Sequence, residues 1–163
     1  MMISARYRTL AWVSAIVLIL DQVTKLYVDS RFVLHESVTV LENFLHITYV
    51  RNKGAAFGIL ADNALRLPFF IGVSLVACIG ILWYLHRTGD NQKLLHLALA
   101  LIFGGAIGNF IDRVRLGEVI DFIYAHWYEH YWPAFNVADS AISVGVVLLL
   151  VDLWVEERRK KVP

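Results

Sequence analysis

Two acidic side chains, Asp121 and Asp139, attract attention because each lies beside a long apolar stretch of the chain. A charged side chain at the centre of a membrane-spanning helix costs about 2.5–3.5 kcal/mol on insertion scales, so an acid in such surroundings usually has a function. Two carboxyl groups that lie close together share a proton. Such a pair can hydrolyse a peptide bond without metal, because one group takes a proton from water while the other protonates the carbonyl.

The two acids differ in how well a structural role would explain them. Asn136-Val-Ala-Asp139 matches the N-cap and the third position of a helix, where Asp139 would accept a backbone N–H and interact favourably with the helix dipole. Asp121 is flanked by apolar residues in Val119-Ile-Asp-Phe-Ile123, and capping does not explain it. For Asp139 the sequence leaves capping and catalysis equally open.

Two other kinds of catalytic site have weaker support. The segment His126-Trp-Tyr-Glu-His130 matches H-x-x-E-H, in which two histidines one helical turn apart hold zinc and the glutamate activates water. It requires a helix and a third ligand, and its aromatic surroundings favour a membrane interface instead. A serine nucleophile would have to be Ser140 or a serine paired with Lys25, since no G-x-S-x-G motif is present.

The composition is that of an integral membrane protein. Hydrophobic residues make up 58% of the 163 residues and the mean hydropathy is +0.59, whereas soluble domains are nearer 45–50% apolar. The net charge of +1 gives no basis for nucleic-acid binding. The single cysteine, Cys78, lies in an apolar run, so no disulfide is expected and the thiol is interpreted as a small buried group.

Four segments are long and apolar enough to span a bilayer, at about 10–28, 68–87, 94–114 and 137–156. The first follows Arg6 and Arg8 like a signal peptide but has no small-x-small cleavage site, so we interpret it as a retained helix. Basic residues before the first span, between the second and third, and after the fourth predict that both termini are cytoplasmic. The sequence therefore predicts one membrane-embedded domain over 1–163.

The two remaining connections are predicted to lie outside. Residues 32–60 contain alternating stretches, 37–40 and 46–50, then a turn at 52–54 and a return strand at 55–60. This pattern predicts a small antiparallel sheet at the outer interface. Residues 115–135 are predicted to form an aromatic loop.

This topology brings the polar residues of three helices to one side of the membrane. Asp21 and Lys25 would share one helix face, where an ion pair that lowers the cost of insertion is the structural alternative. Further polar residues occupy the outer ends of the third and fourth spans: Asn109, Asp112, Arg113, Asn136 and Asp139. Small residues in two of the spans permit close helix packing. They are Gly104-x-x-x-Gly108 in the third span and Ala141 with Gly145 in the fourth.

Five motifs in order resemble the lipoprotein signal peptidase (signal peptidase II) family of bacterial membrane aspartyl peptidases. They cover nearly the whole chain and depart from the family at no motif position. The motifs are Asp21-Gln-Val-Thr-Lys25, Arg51-Asn-Lys-Gly-Ala-Ala-Phe57, Gly105-Ala-Ile-Gly-Asn-Phe-Ile-Asp-Arg113, Val119-Ile-Asp-Phe122 and Phe135-Asn-Val-Ala-Asp139.

The resemblance implies that Asp121 and Asp139 form the catalytic dyad and that no metal or other cofactor is needed. It implies that a further set of residues orients the substrate or supports the dyad: Asp21, Lys25, Asn52, Gly54, Asn109, Arg113 and Asn136. The implied substrate is a diacylglyceryl-modified prolipoprotein, cut just before its lipidated cysteine within the membrane lipid. The expected enzyme is a monomer in the bacterial inner membrane with its site toward the periplasmic face.

Two alternatives remain at this point. One is a zinc membrane peptidase that uses residues 126–130. The other is a small transporter or proton relay, since intramembrane acids also line transport pathways.

Overall fold

The computed structural model describes residues 4–54 and 64–160, and four long helices dominate it. They are α1 (Ala5–Arg31), α2 (Arg66–Arg87), α3 (Lys93–Leu116) and α4 (Val137–Lys160). Each is long and apolar enough to cross a bilayer, with mean hydropathy between 1.5 and 2.1 over its most apolar window. The prediction of four membrane helices with a small antiparallel sheet is confirmed.

Helix α3 lies at the centre of the bundle, packed against each of the other three helices. Of its most apolar window 56% is buried, against 6% for α2. Glycines allow this packing: a Cβ on Gly104 would lie 3.0 Å from the Cα of Ser14 in α1, and one on Gly145 in α4 would lie 2.6 Å from Ile102 Cγ1 in α3. The small residues noted in the sequence therefore lie at helix–helix contacts.

The four strands form one antiparallel sheet in the order β1-β2-β3-β4. They are β1 (Ser37–Leu41), β2 (Leu45–Asn52), β3 (Val119–Trp127) and β4 (His130–Tyr131). The strands expected at 37–40 and 46–50 correspond to β1 and β2, whereas the return strand expected at 55–60 lies outside the described residues. A cluster of Val28, Tyr49, Ile120 and Phe122 joins the sheet to the end of α1.

The prediction of an aromatic loop over 115–135 is wrong for its central part, which forms β3 and β4. Helix α3 ends because Gly117 adopts the left-handed conformation, with φ of 73°, and its N–H bonds to Arg113 O at 3.0 Å. The chain then pairs with β2, with Asn52 opposite Val119 and Val50 opposite Asp121. The first four residues of β3 are buried, so the alternation of apolar and polar residues that marks a half-exposed strand is missing there.

Candidate active site

A cavity of about 690 Å³ lies between α2, α3, α4 and the sheet, and both candidate acids line it. Its wall is polar near the sheet and apolar between the helices. The charged and amide side chains are Asn52, Asn109, Arg113, Asp121 and Asp139, and three serines also line the cavity: Ser74, Ser140 and Ser143. The apolar wall includes Phe70, Val73 and Ala77 of α2 and Ile142 and Val144 of α4.

Asp121 reaches the cavity from β3 and is 2% exposed. Two side-chain amides bind its carboxyl group: Asn136 Nδ2 donates to Oδ1 at 2.7 Å and Asn52 Nδ2 donates to Oδ2 at 2.9 Å. Burial, reinforced by the charge of Asp139, raises the pKa of Asp121 to about 7 even though these two amides oppose the change. This acid therefore retains its proton at a pH where an ordinary carboxyl group is ionised.

Asp139 both caps a helix and lines the cavity, so the two interpretations of this residue are compatible. Its N–H donates to Asn136 Oδ1 at 2.9 Å, while the Asn136 N–H donates to Asp139 Oδ2 at 3.2 Å. This reciprocal pair is a capping box at the start of α4. The other oxygen, Oδ1, accepts a hydrogen bond from Asn109 Nδ2 at 2.7 Å.

Lys25 fixes the orientation of the Asn109 side chain from the side opposite Asp139. The ammonium donates to Asn109 Oδ1 at 3.0 Å, which leaves the amide nitrogen to face Asp139. Lys25 is 1% exposed and also pairs with Asp21 at 2.9 Å and with Asp112 at 3.0 Å. The predicted ion pair within α1 is therefore present, and it is also joined to the site through Asn109.

Two members of this buried group, Asp112 and Gln22, were not among the residues assigned to the site from the sequence. Gln22 Nε2 donates to Asp112 Oδ1 and to Asp21 Oδ2, both at 3.1 Å. The spacing of Asp112 three residues after Asn109 put both on one helix face, which was the available signal. Gln22 lies within the motif Asp21-Gln-Val-Thr-Lys25, but a glutamine next to an acid in a helix has no distinctive pattern of its own.

Asn52, Gly54 and Arg113 meet at the rim of the cavity. The Gly54 N–H donates to Asn52 Oδ1 at 3.0 Å, so the amide nitrogen of Asn52 is directed at Asp121. The guanidinium of Arg113 lies over the Phe70 ring, 4.8 Å from its centroid, and donates to Gly54 O at 3.3 Å. A planar cation thus borders the cavity on the side of α2. With these three, the residues assigned from the sequence lie in the cavity wall or in contact with it, except Asp21, which is joined to the wall through Lys25 and Asn109.

The segment that matched a zinc peptidase does not have the geometry that this pattern requires. It forms a hairpin in which His126 lies on β3 and His130 on β4, with Trp127 opposite His130. Two histidines one helical turn apart would share a helix face, and these lie on different strands. His126 Nε2 instead contacts His46 Nε2 at 2.8 Å.

The hydroxyl proposed as an alternative nucleophile is also engaged elsewhere. Ser140 Oγ donates to Asn136 O at 2.9 Å. The acceptors of the Lys25 ammonium are Asp21, Asp112 and Asn109. Neither arrangement provides a serine with a general base.

The sequence and fold are similar to those of known bacterial proteins. A family model described as signal peptidase (SPase) II matches residues 13–155. A lipoprotein signal peptidase of Geobacter metallireducens is 52% identical over 154 residues, covering 94% of this chain and 95% of that protein. A lipoprotein signal peptidase of Geobacter sulfurreducens is 57% identical over 143 residues, covering 88% and 89%. A bacterial membrane enzyme solved by the in meso method at 2.3 Å superposes with a TM-score of 0.86 at 36% identity, covering 95% and 93% of the two chains.

Proposed function

The chain belongs to the signal peptidase II family, and from this premise we propose that Asp121 and Asp139 are the catalytic pair of a membrane aspartic endopeptidase that cleaves signal peptides from prolipoproteins. The observation that carries the proposal is the pair itself: Asp121, which is buried, and Asp139, which is partly buried, line one cavity, and Asn136 donates a hydrogen bond to each carboxyl group. A zinc peptidase would not need this arrangement, and the similarity to lipoprotein signal peptidases supports a peptidase over a proton relay.

The two acids have different roles in the proposed reaction. Asp121 has a pKa of about 7, so a large fraction of this residue still carries its proton near neutral pH, and it acts as the acid. Asp139 is assigned the role of the base, because Asn109, the Asn136 N–H and the start of α4 would stabilise its carboxylate. Water loses a proton to Asp139 and attacks the peptide carbon, while Asp121 protonates the carbonyl oxygen. Asp139 then returns its proton to the leaving nitrogen, and Asp121 regains a proton from the tetrahedral intermediate as the C–N bond breaks.

The cavity wall supports entry of the substrate from the membrane. Side chains of α2 and α4, including Val73, Ala77 and Val144, form an apolar cleft that ends at the two acids. A lipid-anchored signal peptide would enter this cleft sideways as a helix, with its acyl chains remaining in the bilayer. The acyl chains would hold the diacylglyceryl-modified cysteine at a fixed depth in the bilayer. If the two acids lie at that depth, the peptide bond just before this cysteine is the one that they reach.

We place the enzyme in the bacterial inner membrane, as a monomer with its site toward the periplasm. The supporting pattern is charge: Arg158, Arg159 and Lys160 end α4, at the opposite end of that helix from Asp139. The excess of basic residues marks the cytoplasmic side. The sheet and the cavity would then face outward.

Cleavage of a diacylglyceryl-modified prolipoprotein by the purified enzyme, with and without a chelator, tests the proposal. We expect Asp121→Asn and Asp139→Asn each to abolish cleavage, because each removes one of the two proton-transfer groups. His126→Ala, which alters the hairpin beside the site, is the control and should remain active. Full activity of either Asp variant, or activity lost on chelation, would contradict the aspartic mechanism. Failure of the native enzyme to cut this substrate would favour a transporter.

A further inference from the structure

A second group of polar side chains is joined to Asp139 through Asn109. We name it the Lys25 cluster, and it consists of three charged residues and one glutamine: Asp21, Lys25, Asp112 and Gln22. Both carboxylates are buried, with 0% and 1% exposure for Asp21 and Asp112. With both acids ionised, one ammonium faces two carboxylates. Removing such charges from water is costly, and apolar residues of similar volume are often at least as stabilising. The cluster is therefore poorly explained by stability alone.

Each acid of the cluster also holds one backbone N–H, and the two amides occupy matching positions. Asp112 Oδ2 accepts a hydrogen bond from the Ile120 N–H at 3.1 Å, and Asp21 Oδ1 accepts one from the Ala138 N–H at 2.9 Å. Ile120 directly precedes Asp121, and Ala138 directly precedes Asp139. The same buried cluster thus binds the backbone next to each proposed catalytic acid.

We propose that the Lys25 cluster is a common anchor that sets the separation of the two catalytic acids, with Asp21 and Asp112 as positioning residues. This inference rests on the proposed function. Asp121 lies on a strand and Asp139 on a helix, so their separation depends on how two different elements pack. Hydrogen bonds from amides to ionised carboxylates are about twice as strong as neutral ones. Lys25 joins the two carboxylates, and it also sets Asn109 against Asp139.

Kinetics of variants at Asp112 test the anchor. Asp112→Ala removes the acceptor of the Ile120 N–H, and we expect kcat to fall about 100-fold, the effect of a misplacement of about 1 Å. KM should not change, because Asp112 does not line the cavity. Asp112→Asn should recover part of kcat, since its side-chain oxygen can still accept the N–H. The matched control is Asp90→Asn, which removes an acid that pairs with Arg6 at 3.8 Å, away from the site.

Amide hydrogen exchange gives a readout that loss of stability alone would not produce. Asp112→Ala should accelerate exchange at Ile120 more than at Ala138, and Asp21→Ala should do the reverse. Should either variant fail to fold, Gln22→Leu replaces it, since Gln22 is only half-buried and donates to both acids. It should lower kcat and accelerate exchange at both amides.

Unchanged kcat per folded enzyme in the Asp21 and Asp112 variants would overturn the anchor, as would equal acceleration of exchange at both amides in each alanine variant. These results are distinct from failure of the proposed function. In that case the native enzyme would not cleave the prolipoprotein, or Asp121→Asn would remain active.

Discussion

Replacement of Asp121 by asparagine should remove the fall in stability that the buried carboxyl group is expected to cause as the pH rises from about 4 to about 7. The ordinary carboxyl pKa of 3.8 applies to the unfolded chain, and burial raises the pKa of Asp121 to about 7 in the folded state. Between these values the folded state binds a proton that the unfolded state has lost. The stabilisation from this group is therefore complete below the unfolded-state pKa of 3.8, and it is lost as the pH rises through the folded-state pKa of about 7.

The size of the effect follows from the two pKa values. One pKa unit corresponds to about 1.4 kcal/mol, so the change from 3.8 to about 7 amounts to about 4 kcal/mol of the free energy of unfolding. This is a large fraction of the roughly 5–15 kcal/mol that stabilises a typical domain. An asparagine at position 121 carries no charge at any pH and cannot contribute this dependence.

Thermal unfolding in one detergent at about pH 4 and about pH 8 measures the effect for the native protein and Asp121→Asn. For each protein, the unfolding temperature at one pH is compared with that at the other. The asparagine also changes a hydrogen bond, which shifts the unfolding temperature at both pH values by a similar amount and so cancels in this comparison. Glu118→Gln is the control. It removes an acid that lies near Asp121 in the connection between α3 and α4 and that pairs with Lys53 at 3.9 Å. An equal pH dependence in the native protein and Asp121→Asn would refute the assignment of a buried, neutral Asp121.

Two further predictions concern activity and packing. Initial rates of prolipoprotein cleavage should decline as the pH rises above about 7, because Asp121 then loses the proton that it donates to the carbonyl oxygen; rates that still rise at about pH 8 would contradict this role. Gly145→Ala should destabilise the protein by about 1–3 kcal/mol in thermal unfolding, since its Cβ would lie 2.6 Å from Ile102 Cγ1. Gly80→Ala, whose Cβ meets nothing within 4 Å, should not destabilise the protein, since alanine is the better helix former, and equal losses in the two variants would count against close packing of α3 and α4.

The sequence predicted the helices well, because a bilayer imposes a length and an apolar composition that are visible without any tertiary information. It also placed the polar tips of α1, α3 and α4 on one side, since successive spans cross the membrane in opposite directions. Asn136 and Asp139 could be recognised as a capping box because that arrangement is local.

Features that depend on distant pairing could not be predicted in the same way. Strand β3 has no clear alternation because its first residues are buried on both faces, and its partner β2 is far away in the sequence. The hydrogen bonds from Gln22 to Asp112 and from Asn52 to Asp121 likewise join distant segments. A glutamine or an asparagine in a sequence does not show which distant side chain it will bind. Only the folded structure therefore identifies Gln22 as part of the Lys25 cluster.

The order of the contributing residues along the chain has a consequence for biosynthesis. Asp21 and Lys25 are made first, Asn52 and Asn109 follow, and Asp139 belongs to the last helix. A nascent chain whose final helix has not entered the bilayer would lack both the proposed base, Asp139, and the N-cap amide that binds Asp121. The proposed catalytic site is therefore complete only after α4 has been inserted.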